Sequence, residues 1–155
     1  MEIGAYKGKS AAWLIEATET RADHPPVVSI DPHAQYDTWD EFNATVAEFK
    51  LEKRGLEICR AQSHEVGVKW DRPISLLWID GSHEYEDVVN DIEDFVPHVV
   101  PGGWVVFDDA ASDDFGIDPA LDKSMFPRED FRFLGYLKHF AIFQRDKSNR
   151  SSGVI

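Results

Sequence analysis

Two apolar segments of this sequence each end abruptly in residues that could do chemistry. Residues 76–79 are followed by Asp80 and, three positions later, His83, while residues 104–107 are followed by Asp108 and Asp109. Apolar runs of this length are typical of central strands that are buried on both faces of a parallel sheet. Ligands bind beyond the carboxyl ends of such strands, so two neighbouring strands would bring these four side chains to one rim.

Three carboxylates and an imidazole at one rim predict a site for a hard divalent cation with a general base beside it. Asp80, Asp108 and Asp109 are the candidate metal ligands, because hard divalent cations take oxygen ligands. His83 and Asp80 are the candidate catalytic residues, since an imidazole can take a proton near neutral pH. The alternative is that these acids only cap the turns that follow the strands.

The elements that would position these residues alternate between strand and helix. Strands are predicted at residues 1–3, 27–30, 56–61 and 74–79, and after the turn at residues 101–103, with helices over residues 10–22 and 38–50 and after His83. Residues 110–130 are predicted to be irregular, either a substrate lid or a solvated loop. Strands at residues 131–134 and 137–144, joined near Gly135 and Tyr136, must be antiparallel because their connection is short. The pattern predicts an α/β fold with a doubly wound, mostly parallel sheet that ends in an antiparallel hairpin.

Composition limits the classes of protein to which the chain can belong. The 155 residues predict one domain over residues 1–145 and a flexible tail over residues 146–155. The formal net charge of −13 argues against a nucleic acid or an anionic membrane as partner and suits a cationic ligand or a metal. The single cysteine, Cys59, fits a reducing compartment. With neither a signal peptide nor a membrane span in the sequence, we expect a soluble, cytoplasmic protein.

The loop between the first strand and the first helix is a candidate cofactor site. Gly4 and Gly8 would allow tight turns and a close approach of a ligand to the backbone. Tyr6 occupies the position where a dinucleotide-binding loop has its second glycine, so the loop is poorly suited to NAD. The alternative is a purely structural turn between strand and helix.

Two further residues would complete a nucleoside site. Asp31 ends the second strand, where an acid can accept hydrogen bonds from both ribose hydroxyls, although an Asp-Pro turn explains it equally well. Ser63 follows the third strand and could contact the adenine or its ribose; the alternative is a helix cap before His64 and Glu65.

Four segments together resemble the class I S-adenosylmethionine-dependent methyltransferases. The segments are residues 2–10, 30–32, 79–85 and 101–109, and the closest group is that of the macrocin-type sugar O-methyltransferases and their cephalosporin-biosynthesis relatives. The resemblance spans residues 2 to about 145. It implies a seven-stranded sheet, an S-adenosylmethionine pocket, a Mg²⁺ held by Asp80, Asp108 and Asp109, and His83 as the base. The cofactor-binding residues it implies are Glu2, Gly4, Ala5, Tyr6, Gly8, Ser10, Asp31, Ser63 and Asp80.

The resemblance also implies helices ahead of the first strand, which this sequence lacks. We therefore expect either a fragment or a minimal enzyme with an open site, and an open site would admit water. Three functions remain open: a metal-dependent O-methyltransferase of a small hydroxylated molecule such as a sugar or natural product, a metal-independent methyltransferase, and a cofactor-binding module without activity. The sequence leaves the acceptor and the oligomeric state open, a homo-oligomer included.

Overall fold

The computed structural model describes residues 1–111 and 116–147, and within these it has seven strands and five α-helices. In chain order they are β1 Glu2–Ile3, α1 Lys9–Glu19, β2 Val27–Ile30, α2 Trp39–Phe49, β3 Leu56–Cys59, α3 Ser63–Gly67, β4 Ile74–Ile79, α4 Tyr85–Phe95, β5 Val99–Phe107, α5 Ile117–Ser124, β6 Phe131–Leu137 and β7 Phe140–Arg145.

All seven strands form one sheet, in the order β3-β2-β1-β4-β5-β7-β6. The first five strands are parallel, and β7 is antiparallel to both β5 and β6. Both faces of the sheet are covered, since the adjacent β2 residues Val27 and Val28 point to opposite sides and belong to different apolar clusters. Val27 belongs to the cluster that contains the buried residues of α1 and α2, and Val28 to the cluster that contains those of α4 and α5. The predicted doubly wound fold with a C-terminal hairpin is confirmed.

The register of the parallel strands determines which residues reach the rim. Ile3 pairs with both Ile30 and Ile79, and Ile79 pairs with Phe107. These four apolar residues therefore form one row across the buried sheet. The residues that follow them in the chain, which are Gly4, Asp31, Asp80 and Asp108, all emerge at the same carboxyl edge.

The hairpin turn lies at Lys138 and His139, not at Gly135 and Tyr136 as predicted. Gly135 instead sits in a bulge of β6, with a φ of 125° and a shift of register between Phe133 and Gly135. A glycine serves a bulge as well as a turn, because both need backbone angles that other residues rarely adopt. Lys138 makes the turn in the left-handed region, with a φ of 57°.

Residues 110–130 are not uniformly irregular, because α5 lies within them. Ile117, Ala120 and Leu121 are buried at helical spacing. Pro119 stands in the first turn of α5, where its missing N–H costs no helical hydrogen bond. Residues 112–115 of the predicted lid, and residues 148–155 of the predicted tail, lie outside the described part of the chain.

Several other element boundaries differ from the prediction. Helix α1 ends at Glu19, three residues early, β3 ends at Cys59, two residues early, and β5 begins at Val99, ahead of the predicted turn at residues 101–103. Ser63 is the first residue of α3, and its neighbour Gln62 is the N-cap. Among the described residues, no helix has both the length and the apolar character needed to cross a bilayer.

Candidate active site

An open cleft of about 1190 Å³ lies at the carboxyl edge of the parallel strands. It brings together six of the predicted site residues from four different loops: Gly4, Tyr6, Asp31, Ser63, Asp80 and His83. A cleft in this position is the usual ligand site of a doubly wound sheet.

The loop after β1 touches the loop after β4 through Gly4. The residue has a φ of 87°, and a Cβ built on it would lie 1.9 Å from the backbone oxygen of Asp80. Only glycine fits here, because both the backbone angle and the close approach exclude a side chain. The two loops that would hold the cofactor and the reacting atoms are therefore in direct backbone contact.

Asp31 ties the loop after β1 to the loop after β2. Its Oδ2 accepts hydrogen bonds from the backbone N–H groups of Ala5 and Tyr6, both at 2.8 Å. Its Oδ1 accepts one from the N–H of His33 at 2.6 Å, the turn that an Asp-Pro sequence favours. A carboxylate has about four lone-pair sites, so three bonds leave little free capacity for a ribose. The contact of Asp31 with both ribose hydroxyls stays a prediction.

We expect Asp31→Ala to weaken the binding of S-adenosylhomocysteine by roughly tenfold or more, because three backbone donors lose a charged acceptor and the loop loses its shape. Calorimetry well below the melting temperature measures the affinity. Glu48→Ala, at an exposed position on α2, is the control. An affinity equal to that of the control would reject a role for Asp31 in the cofactor site.

Four predicted cofactor residues do not line the cleft. Glu2 is fully buried, and the Ser29 hydroxyl donates a hydrogen bond to its Oε1 at 2.5 Å. Burial raises the pKa of Glu2. Ala5 is also buried, Gly8 packs beside Phe42, and Ser10 lies near Glu2. These four residues support the loop after β1 from behind and do not line the cleft. Any role for them in cofactor binding stays a prediction.

His33, which was not among the predicted site residues, also lines the cleft. Its side chain is buried, and burial lowers the pKa of the ring. Its Nδ1 lies 3.0 Å from the hydroxyl of Thr38. Thr38 is the N-cap residue of α2, but its side chain does not cap the helix. The position of His33 directly after Asp31 and Pro32 was the available signal.

The acids after β4 and β5 form a crowded group. Burial, followed by the nearby charge of Asp108, a hydrogen bond with it and the charge of Asp109, raises the pKa of Asp80 to about 7. Strand β5 ends at Phe107, and Asp109 adopts a left-handed φ of 52°. This break in the strand allows adjacent aspartates to contribute to the same group.

Two histidines contact the acid group. Nε2 of His83 lies 3.5 Å from Oδ2 of Asp109, and Nε2 of His139 lies 3.1 Å from Oδ1 of Asp108. His139 was not among the predicted site residues. The signal was available in the hairpin, whose turn must lie at the carboxyl end of β5 if β7 pairs with that strand.

The chemistry of this donor set fits a divalent cation. Crowded carboxylates repel one another, and a cation among them would relieve both the repulsion and the cost of their burial. Asp108, Asp109 and His139 each offer a ligand atom, and these atoms lie within 4.8 Å of one another. Asp80 was predicted as the third ligand. It interacts with Asp108 but is not one of the three residues whose ligand atoms lie this close together.

Comparison with known proteins agrees with this architecture. A family profile described as a methyltransferase domain matches residues 1–110. Protein R132 of Acanthamoeba polyphaga mimivirus is 24% identical over 114 residues, which are 70% of this chain and 50% of that protein. The chain thus spans half the length of this relative.

Two solved structures are similar in fold. CalS11, a TDP-rhamnose 3′-O-methyltransferase of calicheamicin biosynthesis, has a TM-score of 0.74 at 17% identity, covering 93% of this chain and 70% of its own. TomG from Streptomyces achromogenes, an O-methyltransferase of tomaymycin synthesis in complex with S-adenosylmethionine, has a TM-score of 0.71 at 17% identity, covering 94% and 71%.

The profile covers more than half of the chain, so the chain belongs to the methyltransferase domain family. The cleft that joins the loops after β1, β2 and β4 is the position at which a doubly wound sheet binds its ligands.

Proposed function

We propose that the protein transfers the methyl group of S-adenosylmethionine to a hydroxyl of a small molecule, such as a sugar or natural product, with the assistance of a divalent cation. The observation that carries this proposal is the grouping of Asp80, Asp108 and Asp109 with His83 beside the cofactor cleft. The similarity in fold to CalS11 and TomG, both O-methyltransferases, supports the choice of acceptor atom.

Methyl transfer to an alcohol needs a better nucleophile than the alcohol itself. A bound divalent cation lowers the pKa of hydroxyl groups that ligate it and orients them. Asp108 and Asp109, with Asp80 beside them, are the residues that would hold it. His83 lines the cleft and can accept the proton that the acceptor hydroxyl loses. Oδ2 of Asp109 lies 3.5 Å from Nε2 of His83, so this carboxylate would hold the imidazole in place at the rim.

The charge of the protein fits this chemistry. S-adenosylmethionine is cationic at sulfur, and a formal net charge of −13 attracts a cationic cofactor and a metal ion while repelling nucleic acid and anionic membranes. We therefore propose a small-molecule acceptor and neither a nucleic acid nor a membrane partner.

The test is a panel of hydroxylated metabolites, sugars and phenols among them, assayed for conversion of S-adenosylmethionine to S-adenosylhomocysteine. We expect turnover that EDTA abolishes and Mg²⁺ restores, and a loss of roughly a hundredfold or more in Asp109→Asn. Glu93→Gln, which neutralises an exposed acid on α4, is the control for the change of charge.

The other outcomes separate the competing functions. Turnover that is reduced neither by EDTA nor by Asp109→Asn would identify a metal-independent methyltransferase. Cofactor binding without turnover on any acceptor would instead favour a binding module, and both results would contradict the proposal.

A further inference from the structure

We propose that His139, on the turn between β6 and β7, is a nitrogen ligand of the divalent cation, and that this ligand shifts the site from Mg²⁺ towards first-row transition metals. This inference rests on the proposed metal site and adds to it a residue outside the three-carboxylate set. The evidence is the register of the hairpin, the distances in the donor group and the chemistry of imidazole.

The register of the sheet brings His139 to the acids. Phe107 of β5 pairs with Ala141 of β7 in antiparallel fashion. His139 stands two residues before Ala141, and Asp108 and Asp109 directly follow Phe107, so the turn and the acids meet at the same end of β5. The turn is tight, since Leu137 pairs with Phe140 and only Lys138 and His139 lie between them.

Aromatic packing fixes the orientation of the His139 ring. The ring lies against Phe140, with centroids 4.2 Å apart, and Phe140 packs on Trp78 of β4 at 5.2 Å. The imidazole is half exposed, so its edge remains accessible to an ion from the solvent. A ligand whose rotamer is already restricted loses less conformational entropy on binding.

The distances match a coordination sphere. Ligand atoms at roughly 2.1 Å from an octahedral ion are about 3.0 Å apart when they are adjacent and about 4.2 Å apart when they are opposite. Nε2 of His139 and Oδ1 of Asp108 are 3.1 Å apart, the spacing of adjacent ligands. All three ligand atoms of Asp108, Asp109 and His139 lie within 4.8 Å of one another, so closure around an ion needs only small side-chain movements.

Ligand type then decides which ion is favoured. A set made only of oxygen atoms suits Mg²⁺, whereas an imidazole nitrogen strengthens binding of the later first-row ions such as Co²⁺, Ni²⁺ and Zn²⁺. The competing explanation of the contact is a plain ion pair, in which a protonated His139 neutralises Asp108. That arrangement would exclude a metal–nitrogen bond.

The experiment compares metal binding by the unmodified chain with metal binding by His139→Gln. His83→Gln tests the neighbouring imidazole. His24→Gln, at an exposed position away from the site, is the control. Calorimetry gives the affinities for Co²⁺ and for Mg²⁺ alone, without acceptor. Pulsed EPR of the Mn²⁺-loaded protein detects nitrogen bound directly to the ion. Circular dichroism confirms that each variant is folded.

We expect His139→Gln to weaken Co²⁺ binding by roughly tenfold or more while Mg²⁺ affinity changes less than about threefold. The nitrogen signal should vanish in His139→Gln and persist in His83→Gln and His24→Gln. An unchanged ratio of Co²⁺ to Mg²⁺ affinity in His139→Gln, or a nitrogen signal that survives that substitution, overturns the inference and leaves the proposed function intact. Absence of binding of either ion to the unmodified chain overturns both the inference and the metal requirement of the proposed function.

Discussion

Gly4→Ala is expected to unfold the protein or to lower its free energy of unfolding by more than about 4 kcal/mol. The new Cβ would lie 1.9 Å from the backbone oxygen of Asp80 and 2.5 Å from its carbonyl carbon. These are backbone atoms at the end of β4, so they can move only if the pairing of β1 with β4 is disturbed. Since natural domains are stable by only about 5–15 kcal/mol, a loss of this size removes much of the margin.

A second glycine separates the clash from the effect of backbone angle. Gly55 has a φ of 100°, and the nearest atom to a Cβ added there is 3.9 Å away. Gly55→Ala should therefore cost only the left-handed conformation, about 1–2 kcal/mol. Urea denaturation of both variants measures the difference. Equal stabilities would mean that the loop after β1 does not approach Asp80 as closely as described.

His83→Ala is expected to lower turnover by about 10²–10⁴-fold, the usual contribution of a general base, while the affinity for S-adenosylhomocysteine changes less than about threefold. His83 follows Asp80 by three residues and lies at the rim between the cleft and the acid group. A general base acts on the acceptor and not on the cofactor. Its removal should therefore lower kcat and leave the affinity for the cofactor product unchanged.

The control for this prediction is His24→Ala, which removes an exposed imidazole remote from the cleft and should leave both parameters unchanged. Steady-state kinetics on an acceptor found in the screen, together with calorimetry of the cofactor product, supplies the two readouts. A variant that loses cofactor affinity but keeps its turnover would show that His83 is a binding residue.

Local chemistry determined much of the fold from the sequence alone. The apolar run before Asp80 and the apolar run before Asp108 could be recognised as central strands because burial on both faces requires continuous apolar residues. The strand–helix alternation then predicted the sheet, and the carboxyl-edge rule predicted which residues would meet. The predictions that were wrong rested on local sequence signals that fit more than one structure. Gly135 fits a bulge as well as a turn, and α5 was hidden by Pro119 and by acidic neighbours.

The sequence by itself determined that acids and an imidazole end neighbouring strands, since chain order and apolar pattern are properties of local segments. Only the tertiary structure decided how those side chains are used. The carboxylate of Asp31 accepts hydrogen bonds from three backbone N–H groups, and Glu2 is fully buried behind the loop after β1. His139 contacts Asp108 from a hairpin about 30 residues further along the chain. The physical reason is that such contacts depend on strand register, which is fixed by pairing between segments that are distant in sequence.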